Sequence, residues 1–254
     1  MTNKLFILKT AVDATGYEDS CDRIINLVEN NSSSYIIPAN VHVVMSGYFN
    51  QKYQEIINNA TLVTPDGMPL VWGLKLLGIT NQTRVYGPDL MLVLCEKLAN
   101  LSIPIYLYGG TELMLEKLHH NLQEKYPNLI IAGTYSPPFR PLTEEEEKED
   151  RQRIQNSGAK VLFVGLGCPK QEQWMARQKD KLNLVMLGVG AAFSFHSGEV
   201  SQAPRWMMKM GLEWLYRFLQ EPQRLWQRYI INNPLFLILF TWQLVTKKFK
   251  VNSF

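Results

Sequence analysis

The chain has 254 residues, 46% of them hydrophobic and 19% charged, with a formal net charge of +3. These values exclude a disordered chain and suit one α/β domain with an appendage, two small domains being the alternative. Three widely spaced cysteines (Cys21, Cys95, Cys168) exclude a disulfide framework, and without a CxxC pair a structural zinc site is not indicated. The four histidines form no HExxH motif or cluster, and the N-terminus MTNKLFILKTAVD has no long apolar region, so no signal peptide is expected.

In chain order, strands are predicted at residues 4–9, 34–38, 61–64, 103–108, 129–134, 160–165 and 183–188, several of them apolar along nearly their whole length. Such runs read as strands buried on both faces. Helices are predicted between most of them, at about 17–29, 41–58, 88–100, 111–126, 143–156 and 169–179. Thr143 with the acids at 144–147 marks a capped helix start, where the dipole favours negative charge. The alternation predicts a Rossmann-like parallel sheet with helices on both faces, over residues 1–200.

Ligands of such sheets bind at the C-terminal strand ends. Six ends carry turn and polar residues: Pro38-Ala39-Asn40, Thr64-Pro65-Asp66-Gly67, Tyr108-Gly109-Gly110-Thr111, Tyr135-Ser136-Pro137-Pro138-Phe139, Gly165 to Gln171, and Gly188-Val189-Gly190. Together they read as the rim of a pocket.

Residues 201–254 form a helical appendage with pieces at about 204–220, 221–231 and 234–248, each with a proline in its first turn. From Pro204 onward eight basic residues face two acids, net +6, whereas residues 1–203 carry 18 against 21, net −3. Four of the six tryptophans are also there. Basic and aromatic enrichment predicts a membrane surface or a polyanion as partner. Nucleic acid fits poorly, because the body is acidic and the tail contains the apolar run LFLILFTWQLV. That run has 11 residues where a span needs about 20, so it is expected to pack on the body or lie in an interface.

Individual residues leave alternatives open. Asp66, between a strand and a helix, is suited to capping the helix or to general-base work on a sugar hydroxyl. Arg84 in TRVYGPD suits a diphosphate grip or a surface ion pair. The Tyr108-Gly109-Gly110 turn suits phosphate approach or a plain tight turn, and it is neither GxGxxG nor a Walker motif. Gln171 suits a sugar hydroxyl or the surface, Cys168 reads as structural, and His196 as a hydrogen-bonded loop residue. Arg217, Arg224 and Arg228 share one helix face only if Pro222 leaves the helix unbroken.

Eight blocks in order, ANVHVV, TPDGMPLVWGLKLLG, RVYGPDLM, YLYGG, SPPF, VGLGCPKQEQW, GVGAAF and GLEWLYRFLQEPQRLWQRY, resemble the WecG/TagA/CpsF glycosyltransferase family over about residues 5–240. The resemblance implies an inverting transfer, without metal or other cofactor, of a sugar such as N-acetylmannosamine. The donor is a UDP-sugar and the acceptor a polyprenyl-diphosphate-linked N-acetylglucosamine in cell-surface polysaccharide synthesis. It implies Asp66 as base and Arg84 as a phosphate or sugar contact. Asn40 and Gln171 are implied in the sugar pocket, and Tyr108, Gly109, Gly110, Pro138 and Phe139 on the nucleotide side. Arg217, Arg224 and Arg228 are implied in docking to membrane and lipid diphosphate, from the cytoplasmic face. Ser194 stands where many members have a ribose-binding aspartate, Gln202 where many have arginine, and Pro38 where some have threonine. These departures fall on the donor side. No DxD metal motif is present.

Two rival readings are weighed against this one. A nucleotide-dependent oxidoreductase requires a dinucleotide fingerprint, which the early strands lack. A non-enzymatic membrane-binding module requires only the tail. The same basic, aromatic surface also suits a homo-oligomer.

Overall fold

The computed structural model describes residues 4–251, with side chains described to Thr246. The side chains of Lys247, Lys248 and Lys250, counted above with the basic tail, lie outside the described residues. The chain opens with an antiparallel hairpin, β1 (Lys4–Ile7) and β2 (Thr10–Asp13). The strand expected at 4–9 is therefore one arm of a hairpin and does not join the main sheet. Leu8 turns the chain with φ +55° and no glycine, which is why the turn was not evident in the sequence. The buried Asp13 carboxylate accepts the Val63 N–H at 2.8 Å and pairs with Arg23 at 3.2 Å.

After α1 (Tyr17–Glu29) come β3 (Ser34–Ala39), α2 (Val41–Phe49), α3 (Gln51–Asn58), β4 (Leu62–Pro65) and α4 (Met68–Leu76). The helix expected over 41–58 is split at Asn50. Its extended backbone ends α2, and its side chain accepts the Tyr53 N–H to begin α3. Then follow α5 (Gly87–Asn100), β5 (Ile105–Gly109), α6 (Glu112–Lys125), β6 (Ile131–Tyr135), α7 (Glu144–Asn156), β7 (Val161–Gly165), α8 (Lys170–Gln178), β8 (Val185–Gly188) and α9 (Ala192–His196). Thr143 and Glu146 form the capping box at the start of α7.

The six-stranded sheet is parallel throughout, in the order β4-β3-β8-β7-β5-β6. Its residues alternate between two cores. Ile36, Leu62, Leu107, Phe163 and Leu187 face one layer with α1, α5, α6 and α9. Tyr35, Ile37, Val63, Tyr108, Val164 and Met186 face the other, with α2, α4 and α8. This is the Rossmann-like sheet, covered on both faces. The strand order reverses between β3 and β8, and a crevice opens at the strand C-termini of such a switch point.

The C-terminal segment contains α10 (Arg205–Lys209), α11 (Glu213–Gln220), α12 (Pro222–Trp226), a π turn at Gln227–Ile231 and α13 (Asn232–Val251). The break expected before Pro234 is absent. Pro234 has no N–H for the carbonyl four residues back, and its ring crowds that carbonyl. The wide π turn just upstream absorbs both. The resulting helix, Pro222–Thr246, is 25 residues, long and apolar enough to cross a membrane by length and composition alone. The apolar run counted in the sequence, Leu235 to Val245, underestimated it by starting only after Pro234. Phe236 and Phe240 are nonetheless buried against the body, and Gln243 bonds the backbone of Phe6 and Leu8 in the hairpin.

Candidate active site

The switch-point crevice is a cleft of about 460 Å³ walled by the loops after β3, β4, β7 and β8 and roofed by α11 and α12 with the π turn. Asn40 leaves β3 and caps α2, its Oδ1 accepting the His42 and Val43 N–H groups at 3.0 and 3.3 Å. Its Nδ2 reaches Asp66 Oδ2 at 3.4 Å. Asp66 leaves the adjacent strand, and the Asp66 and Gly67 N–H groups both bond the Ala39 carbonyl, which fixes the turn. The Asp66 carboxylate makes no capping bond to α4, the helix that follows it. Instead Oδ1 accepts the Gly87 N–H at 2.7 Å, at the start of α5. Asp66 is 9% exposed. Burial raises its pKa, opposed by the Arg84 guanidinium and reinforced by Glu213.

Arg84 is nearly buried. Its Nε donates to the Asp66 backbone carbonyl and its Nη2 to Glu213 Oε2 at 2.6 Å, while its guanidinium lies 4.1 Å from the Tyr86 ring centroid. Tyr86 donates its hydroxyl to Glu213 Oε1 at 2.9 Å. Arg84 is thus an ion pair, yet an internal one facing the cleft rather than a surface one.

Across the cleft, Gln171 sits in the first turn of α8. Its Oε1 accepts the Gly167 N–H at 3.2 Å and its Nε2 donates to Glu172 Oε1 at 2.8 Å. Gly188 leaves room for these side chains, since a Cβ there would lie 2.8 Å from the Met175 methyl and 3.0 Å from Gln171 Nε2 and displace both side-chain ends. Cys168 bonds Tyr53 at 3.3 Å, and burial holds its thiol up at about 12, so it is not a thiolate nucleophile. Burial and Arg228 push His42 down to about 4, leaving it neutral at ordinary pH. His196 bonds the Pro88 carbonyl, as a loop histidine would.

Asn40, Asp66, Arg84, Gly110, Phe139, Gln171, Ser194, Arg217, Arg224 and Arg228 all line this one cleft. Three other expected residues do not. Tyr108 is fully buried under the sheet, stacked 4.5 Å from Trp174 and bonded to Asp150 at 2.6 Å. Gly109 packs on Gly165, where a Cβ would lie 2.7 Å from its carbonyl carbon. Pro138 is absent from the cleft wall, and the loop's contribution is the exposed Phe139. Ser136 ties that loop to the Gly110 carbonyl at 2.7 Å. Pro222 starts a new helix, so the three arginines lie on two elements and a π turn, yet they converge on the cleft. Glu213 and Tyr86 were not singled out in the sequence. The available signal was that Glu213 is one of only two acids in the basic tail.

A profile described as "Glycosyl transferase WecG/TagA/CpsF family" matches residues 5–250. Among similar proteins is one from Bacillus spizizenii, 29% identical over 202 residues, covering 79% of this chain and 76% of the relative. Another, from Staphylococcus aureus strain MW2, is 29% identical over 228 residues, covering 88% and 87%. Both bear the name N-acetylglucosaminyldiphosphoundecaprenol N-acetyl-beta-D-mannosaminyltransferase.

Proposed function

The chain belongs to the WecG/TagA/CpsF glycosyl transferase family, and from that membership we propose that it moves N-acetylmannosamine from its UDP donor to a polyprenyl-diphosphate-linked N-acetylglucosamine. The product extends a lipid-borne chain in cell-surface polysaccharide synthesis. Family membership also disposes of the oxidoreductase and of the non-enzymatic module.

The observation that carries the mechanism is a buried carboxylate, Asp66, on the floor of a cleft whose roof bears Arg217, Arg224 and Arg228. Asp66 Oδ1 is occupied by the Gly87 N–H, while Oδ2 has only the long contact to Asn40. Oδ2 is therefore the oxygen that takes the proton from the acceptor hydroxyl. The hydroxyl oxygen forms its bond to the anomeric carbon as the bond to UDP breaks, and the electron pair leaves with the diphosphate. A pKa raised by burial makes Asp66 a stronger base for this step. The roof arginines stabilise the leaving diphosphate, each worth about 10²–10³ in rate if it acts like an oxyanion donor. Asn40 and Gln171 present amides to the sugars, and Gly110, Phe139 and Ser194 wall the nucleotide side.

The acceptor's polyprenyl tail stays in the bilayer, so the enzyme works as a peripheral protein on the inner face of the cell membrane. Pinning of Phe236, Phe240 and Gln243 to the body supports an in-plane helix over a spanning one. Its other side exposes Leu237, Ile238 and Trp242. The test is a panel of UDP-sugars with short-chain polyprenyl-diphosphate N-acetylglucosamine, products read by mass spectrometry. Transfer of N-acetylmannosamine is expected, and no transfer of any hexose to that acceptor refutes the reading.

A further inference from the structure

The two donors of Arg84 that touch protein reach different parts of the chain. Nε holds the backbone carbonyl of Asp66, and Nη2 holds a carboxylate from the C-terminal segment. Glu213 is itself almost buried, and its second oxygen is taken by the Tyr86 hydroxyl. Two of the five N–H donors of Arg84 are thereby held by protein, and Glu213 fixes the direction of a guanidinium that also lines the cleft. Through Nε, Arg84 works on the peptide that carries the base.

We propose that Glu213 is a positioning residue for the transfer, clamping Arg84 and Tyr86 so that docking of the C-terminal segment sets the Asp66 turn. With Glu213 absent, Arg84 keeps its grip on the Asp66 carbonyl but loses the second anchor that fixes its direction. A guanidinium free to swing toward the donor diphosphate draws the Asp66 peptide out of line. The carboxylate balance also changes. Asp66 is faced by Arg84, Glu213, Tyr86 and Tyr17, with Asn40 and the Gly87 N–H as neutral donors. Glu213 and burial destabilise the charged base; Arg84 and the two donors favour it. Removing the Glu213 charge lowers the pH below which the base is protonated and turnover fails.

This inference rests on Asp66 acting as base, and its test separates the two. The full-length protein is assayed with UDP-N-acetylmannosamine and short-chain polyprenyl-diphosphate N-acetylglucosamine. Variants are Glu213→Ala, the near-isosteric Glu213→Gln, Arg84→Lys, and each Glu213 change combined with Arg84→Lys, all checked by thermal melt. Glu213→Ala is expected to lower kcat about tenfold or more while KM for the UDP-sugar stays within about twofold. In the Arg84→Lys background the same change is expected to cost no more than about a further twofold, because the pair acts as one unit. Glu213→Gln is expected to move the acid limb of the kcat profile to lower pH. Independent, multiplicative losses, or a raised KM at unchanged kcat, overturn the inference. If Glu213→Ala fails to fold, Glu213→Gln carries the same cycle. Normal turnover by Asp66→Asn removes the base and leaves the Glu213–Arg84 coupling to be judged by the cycle. An inactive Asp66→Asn beside an additive cycle removes only the role of Glu213.

Discussion

Asp66 combines two demands that oppose each other. Burial raises its pKa, which would strengthen it in its proposed role as base, and makes its charge costly in the folded protein. A carboxyl whose folded pKa lies above its unfolded value of about 4 is a destabilising group at higher pH. Its contribution declines as pH rises from the unfolded pKa toward the folded one, and stays unfavourable above that. Asp66→Asn is therefore expected to melt no lower than the parent at neutral pH while losing about 10²–10⁴ of its transfer rate. UDP binding, read by calorimetry, should persist. A clear drop in melting temperature contradicts the electrostatic account, and near-normal turnover removes Asp66 as base. Asp66, Asn40 and Gln171 were legible because each lies in the loop or first helical turn after a strand end, where the fold sends ligands, and Arg84 because it stands just before a helix start. Tyr108 and Gly109 stand inside the strand, so one points into the core and the other packs on β7. Position relative to the strand end, which sequence fixes only to within a residue or two, decides between wall and core. Gly165, the last residue of β7, is a strand residue that does line the cleft, and a Cβ there would clash with the Phe193 ring. Gly165→Ala is expected to overpack that contact by about 1–3 kcal/mol, seen as a lowered melting temperature.

At the scale of elements, the parallel strands and their helices followed from apolar runs and turn residues, and their order in the sheet did not. Strand order depends on which crossovers pack, and local pattern carries little of that. The hairpin was missed because its turn uses Leu8 and Lys9, residues without turn chemistry. The last helix was misjudged because Pro234 reads as a start, whereas the π turn before it lets the chain run through. That helix is held by the stacked pair Phe236 and Phe240 over Gly73 and Ile7, with Gln243 clasping the hairpin. Truncating a buried phenylalanine costs about 3–5 kcal/mol where the site cannot collapse. Here the helix can lift away instead of unfolding the body. Phe236→Ala with Phe240→Ala is thus expected to expose the segment after Glu221 to trypsin, with the main unfolding transition nearly unmoved. Equal protease resistance in parent and variant shows that those rings do not hold the helix.

For the whole molecule, the body carries a net charge of −3 and the tail from Pro204 a net +6, and the tail supplies Glu213, Arg217, Arg224 and Arg228 to the cleft. No group of three or more metal-ligating acids, histidines or cysteines is found among the described residues, and Arg84, Arg217, Arg224 and Arg228 line the cleft in which the transfer is proposed. Transfer is therefore expected to persist in excess EDTA, and a strict need for Mg²⁺ or Mn²⁺ contradicts charge stabilisation by arginine. The tail exposes Trp206, Trp226, Leu237, Ile238 and Trp242 beside its basic residues in sequence. Each basic residue near an anionic leaflet contributes about 1 kcal/mol, a contribution that salt weakens over a Debye length of about 8–10 Å. The buried aromatic contribution is insensitive to salt. Binding to anionic vesicles is accordingly expected to fall with added salt but to retain a residue of affinity, and to vanish when the chain is cut before Pro204. The truncated protein also lacks Glu213 and the roof arginines, so its transfer should fail even on a short-chain acceptor in solution. A charge-reversed but full-length tail separates the two effects, because it keeps the apolar surface. Vesicle sedimentation that is unchanged by truncation assigns membrane binding to the body and leaves the tail only its part in the cleft.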